Sequence, residues 1–438
     1  MWTAAAAATA AWNSSPVFAK PAPTVPTSPV RLLDPARLPL LDEAIAAAVR
    51  AGQLPGAVVR VERLGMGPLP STTHQAHGPQ ETPAAHEAYE SAVGRKALEP
   101  VPEPLEASTV YDCASLTKVV VTAALLARLM QEGALHPGTA VRDLLPGFES
   151  DRGGPAITVG QLLTHTSGLP AGVPLQPAWT GLEPALLLAG TRVPTHPPGT
   201  FFRYSDVNFI LLGQIAQRVT GQALDVLAHT WLFQPLGMRD SGYRPLADPQ
   251  AWARVPLDRI APTEWDAEIG AVPSAQRPGT AMLRGQVHDP TARRMGGVAG
   301  HAGLFSTAAD LARFARMLLQ GGELDGLRVL SPQAVAQMTA VATPPALTEQ
   351  RSLGWDVDSP FSRARGQRYP RGSFGHTGFT GCALWIDPFS RTFHVLLSNR
   401  VHPRTRESIV ALYEQVGTLA AQSVLGFDFD RLRPLPGG

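Results

Sequence analysis

Lysine is scarce in this chain, which carries 34 Arg but only Lys20, Lys96 and Lys118. Where arginine is the habit, a lysine can be there for its chemistry, because a desolvated ammonium can lose its proton and a guanidinium cannot. Lys118 stands three residues after Ser115, a spacing that sets both side chains one turn apart on one helix face. A hydroxyl beside an amine able to act as base is what a serine nucleophile requires. A helix start at Ser115 also supplies free backbone N–H groups near the reacting oxygen. The plain alternative, a capping serine followed by a solvated lysine, sits poorly with Leu116, Val119, Val120 and Val121 around Lys118.

Two further clusters follow in order. Arg203-Tyr204-Ser205-Asp206-Val207-Asn208 stands just before a helical pattern, and Ser373-Phe374-Gly375-His376-Thr377-Gly378-Phe379 leads into a strand. With these three clusters the chain resembles class C serine β-lactamases, low-molecular-weight penicillin-binding proteins and related esterases. Those enzymes carry Ser-x-x-Lys on a helix, a Tyr-x-Asn loop and a Lys/His-Thr-Gly strand, in that order. The counterparts are Ser115 to Lys118, Tyr204 to Asp206, and His376 to Gly378. The resemblance runs from about Leu38 to Leu425 and includes Leu162-Leu163-Thr164-His165-Thr166-Ser167-Gly168-Leu169. Gly296 to Ser306 and Ser398 to Pro403 resemble bacterial members associated with cell-wall peptide turnover, muramyl amidases among them.

The resemblance implies an acyl-enzyme mechanism and no cofactor. Ser115 would attack a carbonyl, with Lys118 and Tyr204 sharing its proton and Tyr204 acting as phenolate or shuttle beside a cationic Lys118. The oxyanion would sit between the backbone N–H groups of Ser115 and Phe379, the latter expected on an edge strand. Asp206, Asn208, His376, Thr377 and Gly378 would bind substrate. Two positions depart from the family pattern. Asp206 replaces an asparagine, and a carboxylate cannot donate the amide hydrogen bond. His376 replaces a lysine, and an imidazole is partly uncharged at neutral pH. Both changes predict poor β-lactam turnover while leaving acyl transfer intact. Peptidoglycan fragments, D-amino-acid peptides, muramyl amides and small esters remain open as substrates. So does a catalytically stalled, receptor-like protein.

Other chemistry is poorly supported. Reading Ser205-Asp206-Val207 as the Ser-Asp-Asn loop of class A enzymes is weakened by the missing asparagine and by the preceding Tyr204. His165, His301, His394 and His402 lack metal-ligand spacing, no His-Glu-x-x-His occurs, and these histidines read as hydrogen-bonded loop residues. Gly296 to Gly303 has no Gly-Lys-Ser/Thr ending, and no Gly-x-Ser-x-Gly is present. Cys113 and Cys382 read as small buried residues. A formal net charge of +1 argues against a nucleic-acid binder, and no apolar run is long enough for a membrane helix. The expected partner is a small-molecule or peptide substrate, and oligomeric state is not legible.

Placing these residues requires helices over Leu38–Ala51, Ser115–Glu132, Asn208–Val219, Leu311–Leu319 and Glu407–Ala421, and one starting at an N-capping Thr158. Strands are expected at Gly56–Val61, Phe379–Ile386 and Phe393–Ser398, the last two joined by a turn at Asp387-Pro388-Phe389-Ser390, and extended chain at Ser108–Asp112. Gly65 to Glu87 reads as a surface loop. The layout is α+β: an antiparallel sheet flanked by helices, with a mostly helical region inserted, in the manner of β-lactamases and transpeptidases. With 438 residues and 44% hydrophobic content, one domain over 36–438 is expected. Residues 1–35 read as a disordered tail, which favours the cytoplasm. Export is the alternative if the Ala-rich start and Val17-Phe18-Ala19 act as a signal peptide.

Overall fold

The computed structural model describes residues 31–65, 86–248, 255–265, 282–404 and 408–432. The expectations for the N-terminal tail and its possible signal therefore lie outside the described residues, apart from its last few positions. Leu33 is fully buried and bridges to Val424.

Alternation of two apolar faces builds the sheet. In strand β1 (Gly56–Leu64), Ala57, Val59 and Val61 face one core, while Val58 and Leu64 face another. Seven further strands are β2 (His86–Ala97), β3 (Glu103–Pro104), β4 (Gln350–Arg351), β5 (Asp356–Asp358), β6 (Phe374–Gly378), β7 (Cys382–Asp387) and β8 (Thr392–Ser398). Their order is β3-β2-β1-β8-β7-β6-β5-β4, with every pairing antiparallel. Because the central strands are covered on both faces, they read as nearly continuous apolar runs and the faces separate only by the period of two. Helices α1 (Pro39–Arg50) and α6 (Val410–Gln422) cover the first face, against Ala383, Trp385 and Leu396.

The second face carries a larger core shared with the helical region. There α2 (Ala124–Gln131) continues from a π-helical turn over Lys118–Ala123, so the expected helix after Ser115 is present with one wide turn. Such turns often occur at functional sites. Thr158 caps α3 (Val159–Leu163) in a full capping box with Gln161. Ser205 caps α4 (Asp206–Thr220), which ends at the left-handed Gly221. Thr307 caps α5 (Ala308–Leu319), whose buried stripe packs beneath β1 and β8.

Three expectations change. His86 and Glu87 belong to β2 rather than to a loop, while 66–85 lie outside the described residues. The strand expected over Phe379–Ile386 starts at Cys382, and Phe379 sits in the turn between β6 and β7, where Gly381 N–H closes on Gly378 O at 3.0 Å. The last helix starts at Val410, with Glu407 outside the described residues. The π turn aims Lys118 inward, and the β6–β7 turn faces it across the sheet end. These two elements, with the start of α4, frame the site.

Candidate active site

Ser115 is presented by a strained residue. Ala114 has φ of 45°, a left-handed conformation that costs a non-glycine residue about 1–2 kcal/mol. Its N–H donates to Asp112 Oδ1 at 2.8 Å, and Thr117 Oγ1 donates to its carbonyl at 2.6 Å. Asp112 is buried and also accepts from His288 N–H at 2.7 Å, so the bend before the nucleophile is tied to a second segment. Gly378 of β6 lies directly behind it: a Cβ there would stand 2.5 Å from Cys113 O. Only glycine lets the nucleophile loop abut the strand this closely.

Lys118 is fully buried, with two acceptors and one ion-pair partner. Its Nζ donates to Ser115 Oγ at 3.0 Å and to His301 O at 3.0 Å, and pairs with Asp206 Oδ1 at 2.7 Å. Burial alone would lower its pKa, but Asp206 and Tyr204 outweigh that and hold the ammonium above the ordinary lysine value. His301 is fixed in turn, its Nε2 lying 2.9 Å from Asp289 Oδ1. The His301 carbonyl reaches Lys118 because Gly300 meets the backbone of α4, where a Cβ would lie 2.1 Å from Phe209 O.

Tyr204 and Asp206 enter from the start of α4. The Tyr204 ring centroid is 5.0 Å from Lys118 Nζ and 5.8 Å from the His376 ring. His376, on β6, is buried. Burial first, then Arg351 and Lys118, push its pKa well below 6.5, so the ring is neutral. Its Nδ1 lies 2.8 Å from Thr377 O. A carbonyl can only accept, so Nδ1 carries the proton and Nε2 is left as an acceptor. A cavity of about 190 Å³ is lined by Ser115, Tyr204, Arg351, Asp356, Phe361, His376, Thr377 and Phe379. Among the described residues, the backbone N–H groups of Ser115 and Phe379 have no hydrogen-bond acceptor. The Phe379 ring is half exposed, 5.6 Å from the His288 ring and 4.7 Å from the Arg400 guanidinium.

The structure thus brings together Ser115, Lys118, Tyr204, Asp206, His376, Thr377 and Phe379. Asp206, expected among the substrate-binding residues, lies 2.7 Å from Lys118 Nζ through Oδ1. Asn208 stands apart, fully buried, accepting from Ser167 Oγ at 2.7 Å and donating to Leu162 O at 3.2 Å. Gly378 serves the close approach described above. The Phe379 amide belongs to a turn, not an edge strand.

Sequence reasoning missed Arg351, Asp356 and Phe361. Arg351 is fully buried, lies 3.3 Å from Asp356 through Nη1, and donates to Gly354 O at 3.1 Å. Burial lowers its pKa against the pull of Asp356 and Tyr204. One arginine among 34 carries no signal in the sequence. Among the described residues no His, Cys, Asp or Glu cluster is arranged to hold a metal, and no helix is long and apolar enough to cross a membrane.

A buried Lys–Asp pair beneath a serine, under a neutral His-Thr-Gly strand, is the apparatus of a serine hydrolase working through acyl transfer. The chain belongs to the Beta-lactamase family, whose family model matches residues 84–417. A putative D-alanyl-D-alanine carboxypeptidase of Escherichia coli K12 is 33% identical over 328 residues, covering 68% of this chain and 71% of the relative. A protein of the same name from Salmonella schwarzengrund is 30% identical over 344 residues, covering 74% and 77%. Among solved structures, EstCE1, a hydrolase with promiscuous acyltransferase activity, aligns with a TM-score of 0.64 at 21% identity over 87% of this chain and 98% of its own. A penicillin-binding protein homologue from Caulobacter crescentus aligns with a TM-score of 0.64 at 22% identity, over 90% and 99%. At these identities the structural matches establish the fold: a β-lactamase/transpeptidase-like antiparallel sheet with helices.

Proposed function

We propose that the protein hydrolyses a small ester or amide through an acyl intermediate on Ser115, with Tyr204 as the base. One observation carries this reading. Lys118 Nζ donates to Ser115 Oγ and His301 O and is ion-paired with Asp206, which keeps it an ammonium with no lone pair to offer, and Ser115 Oγ is already an acceptor. The Ser115 proton must leave on another side, and Tyr204 is the group of the cavity suited to take it. A phenolate there faces two cations, Lys118 and Arg351.

Ser115 Oγ bonds to the carbonyl carbon as its proton passes to Tyr204. The oxyanion is met by the Ser115 and Phe379 N–H groups. Collapse breaks the C–O or C–N bond, and Tyr204 returns the proton to the leaving alcohol or amine. Water then repeats the sequence in reverse on the acyl-serine. A cavity of about 190 Å³ suits a short acyl group or one terminal residue of a peptide. The names of the curated relatives make a D-alanyl-D-alanine terminus the first peptide substrate to try. Its carboxylate would meet Arg351, because His376 is neutral. Asp206 pairs with Lys118 and, as a carboxylate, cannot donate a hydrogen bond to a β-lactam side-chain carbonyl, so β-lactam turnover is expected to be weak.

Intact-protein mass after exposure to p-nitrophenyl acetate, a D-alanyl-D-alanine peptide and a chromogenic cephalosporin tests this, with product release followed in parallel. A transient adduct with turnover of ester or peptide, abolished in Ser115→Ala, is expected. An adduct that persists without turnover would favour the stalled receptor. Labelling retained in Ser115→Ala would remove the assigned nucleophile.

A further inference from the structure

The loop after α3 holds the Tyr204 segment at four points. His165 O accepts from Arg203 N–H at 2.9 Å, and His165 Nδ1 accepts from Ser205 N–H at 3.1 Å. Pro170 O accepts from Ser205 Oγ at 2.6 Å, and Ala171 O accepts from Asp206 N–H at 2.7 Å. One residue, His165, therefore grips the chain on both sides of Tyr204. Its ring also lies against the Tyr204 ring, with centroids 4.5 Å apart and planes inclined by 34°. It also meets the ring of Phe209 of α4, with centroids 5.1 Å apart.

His165 is fully buried and adopts φ of 59°, a left-handed conformation held by only a few per cent of non-glycine residues, among which asparagine, aspartate and histidine are enriched. That backbone strain is retained where one arrangement of the side chain is over-determined by its surroundings. Burial first, then Arg351, Lys118 and His376, keep the imidazole uncharged, which leaves Nδ1 its lone pair for the Ser205 N–H. A carbonyl and a ring nitrogen of the same residue thus set the height of Tyr204, while the ring face sets the plane of the phenol.

We propose that His165 is a positioning residue for Tyr204: it fixes the phenol oxygen over Ser115 by accepting from the amides on both sides of Tyr204 and packing against its ring. It touches no reacting atom and is not itself a catalytic residue. This inference rests on the reading of Tyr204 as the base and adds to it the group that aims the base. Sequence reasoning placed His165 among hydrogen-bonded loop residues. Nothing in the spacing revealed that its partners flank the tyrosine.

The test uses the full-length protein with p-nitrophenyl acetate. Asparagine fits the site unusually well, because its Oδ1 superposes on imidazole Nδ1 and it tolerates a positive φ. His165→Asn is expected to keep kcat within about fivefold of the parent. His165→Leu keeps apolar volume but has no acceptor, and is expected to lower kcat about 100-fold with KM changed less than threefold, as misplacement by about 1 Å does. Thermal melting accompanies each variant. If the leucine variant does not fold, His165→Gly, which carries no backbone strain at this φ, replaces it with the same expected loss. Equal kcat in the asparagine and leucine (or glycine) variants would overturn the inference, whatever their melting temperatures. Tyr204→Phe separates the two claims. If it loses turnover while His165→Leu does not, His165 alone is misassigned. If Tyr204→Phe is fully active, the base is misassigned and the inference falls with it.

Discussion

At Asp206 a single change of residue type alters what a lysine can do. An asparagine there would offer a neutral amide, whereas the carboxylate at 2.7 Å raises the Lys118 pKa against the cost of full burial. For a lysine whose pKa is raised on folding, the stabilisation is complete below the unfolded value and is lost as pH rises through the folded one. The ammonium therefore persists through neutral pH and well into the alkaline range. Asp206→Asn should move the alkaline limb of the kcat/KM profile to lower pH, and a limb that does not move would show that Asp206 does not hold the charge. At this scale the sequence was informative where residue type was unusual. Rarity singled out Lys118, and Lys118 pointed to Ser115. The pairing of Asp206 with Lys118 was not legible, because spacing reveals residue type but not which distant ammonium a carboxylate will meet. Arg351 escaped notice because arginine is this chain's ordinary cation.

Elements decide how rigidly these groups are held. The nucleophile bend rests on β6 with no room for a side chain, since a Cβ on Gly378 would lie 2.5 Å from Cys113 O. Both atoms are backbone or fixed to it, so neither can swing away. Gly378→Ala should lower kcat for p-nitrophenyl acetate by about 100-fold through displacement of Ser115, with the protein still folded by circular dichroism. Unchanged kcat would mean that loop and strand can separate freely. Periodicity made α1, α4 and α5 legible and the Thr158 cap made α3 so, while the structure adds Ser205 and Thr307 as caps that bond the first turn they precede. Periodicity did not make β2 legible. His86–Ala97 holds three Ala and two Glu, with one valine, and is only partly buried, so it lacks both strand-like composition and clean alternation. Nor could it locate the start of β7, because Phe379 is as apolar as the strand it precedes.

Across the whole molecule, buried histidines tie stability to acid. His394 on β8 is 1% exposed, stacked on Tyr369 at 5.9 Å, and burial lowers its pKa to about 4. A base whose pKa falls on folding binds more protons when unfolded, so stability drops as pH falls below about 6.5. Asp310, raised by burial to about 6, acts in the opposite sense between its ordinary value and 6. Comparison with His394→Phe cancels that contribution. Between pH 7 and pH 5 the parent should lose about 2 kcal/mol more than this variant in urea unfolding. Equal losses would show that His394 titrates normally. The order of the sheet has a consequence for how the chain is made. Ala57 in β1 pairs with Ser398 in β8, 341 positions later. A ribosome adding roughly 5–20 residues per second reaches that partner about 17–70 s after β1 emerges. The β1–β2 hairpin can form early, but it leaves the other edge of a valine-rich strand open throughout that interval. Nascent chains stopped before Thr392 would carry Ser115 and Lys118 intact and still lack the strand that closes the centre of the sheet, which makes late translation the stage most exposed to aggregation.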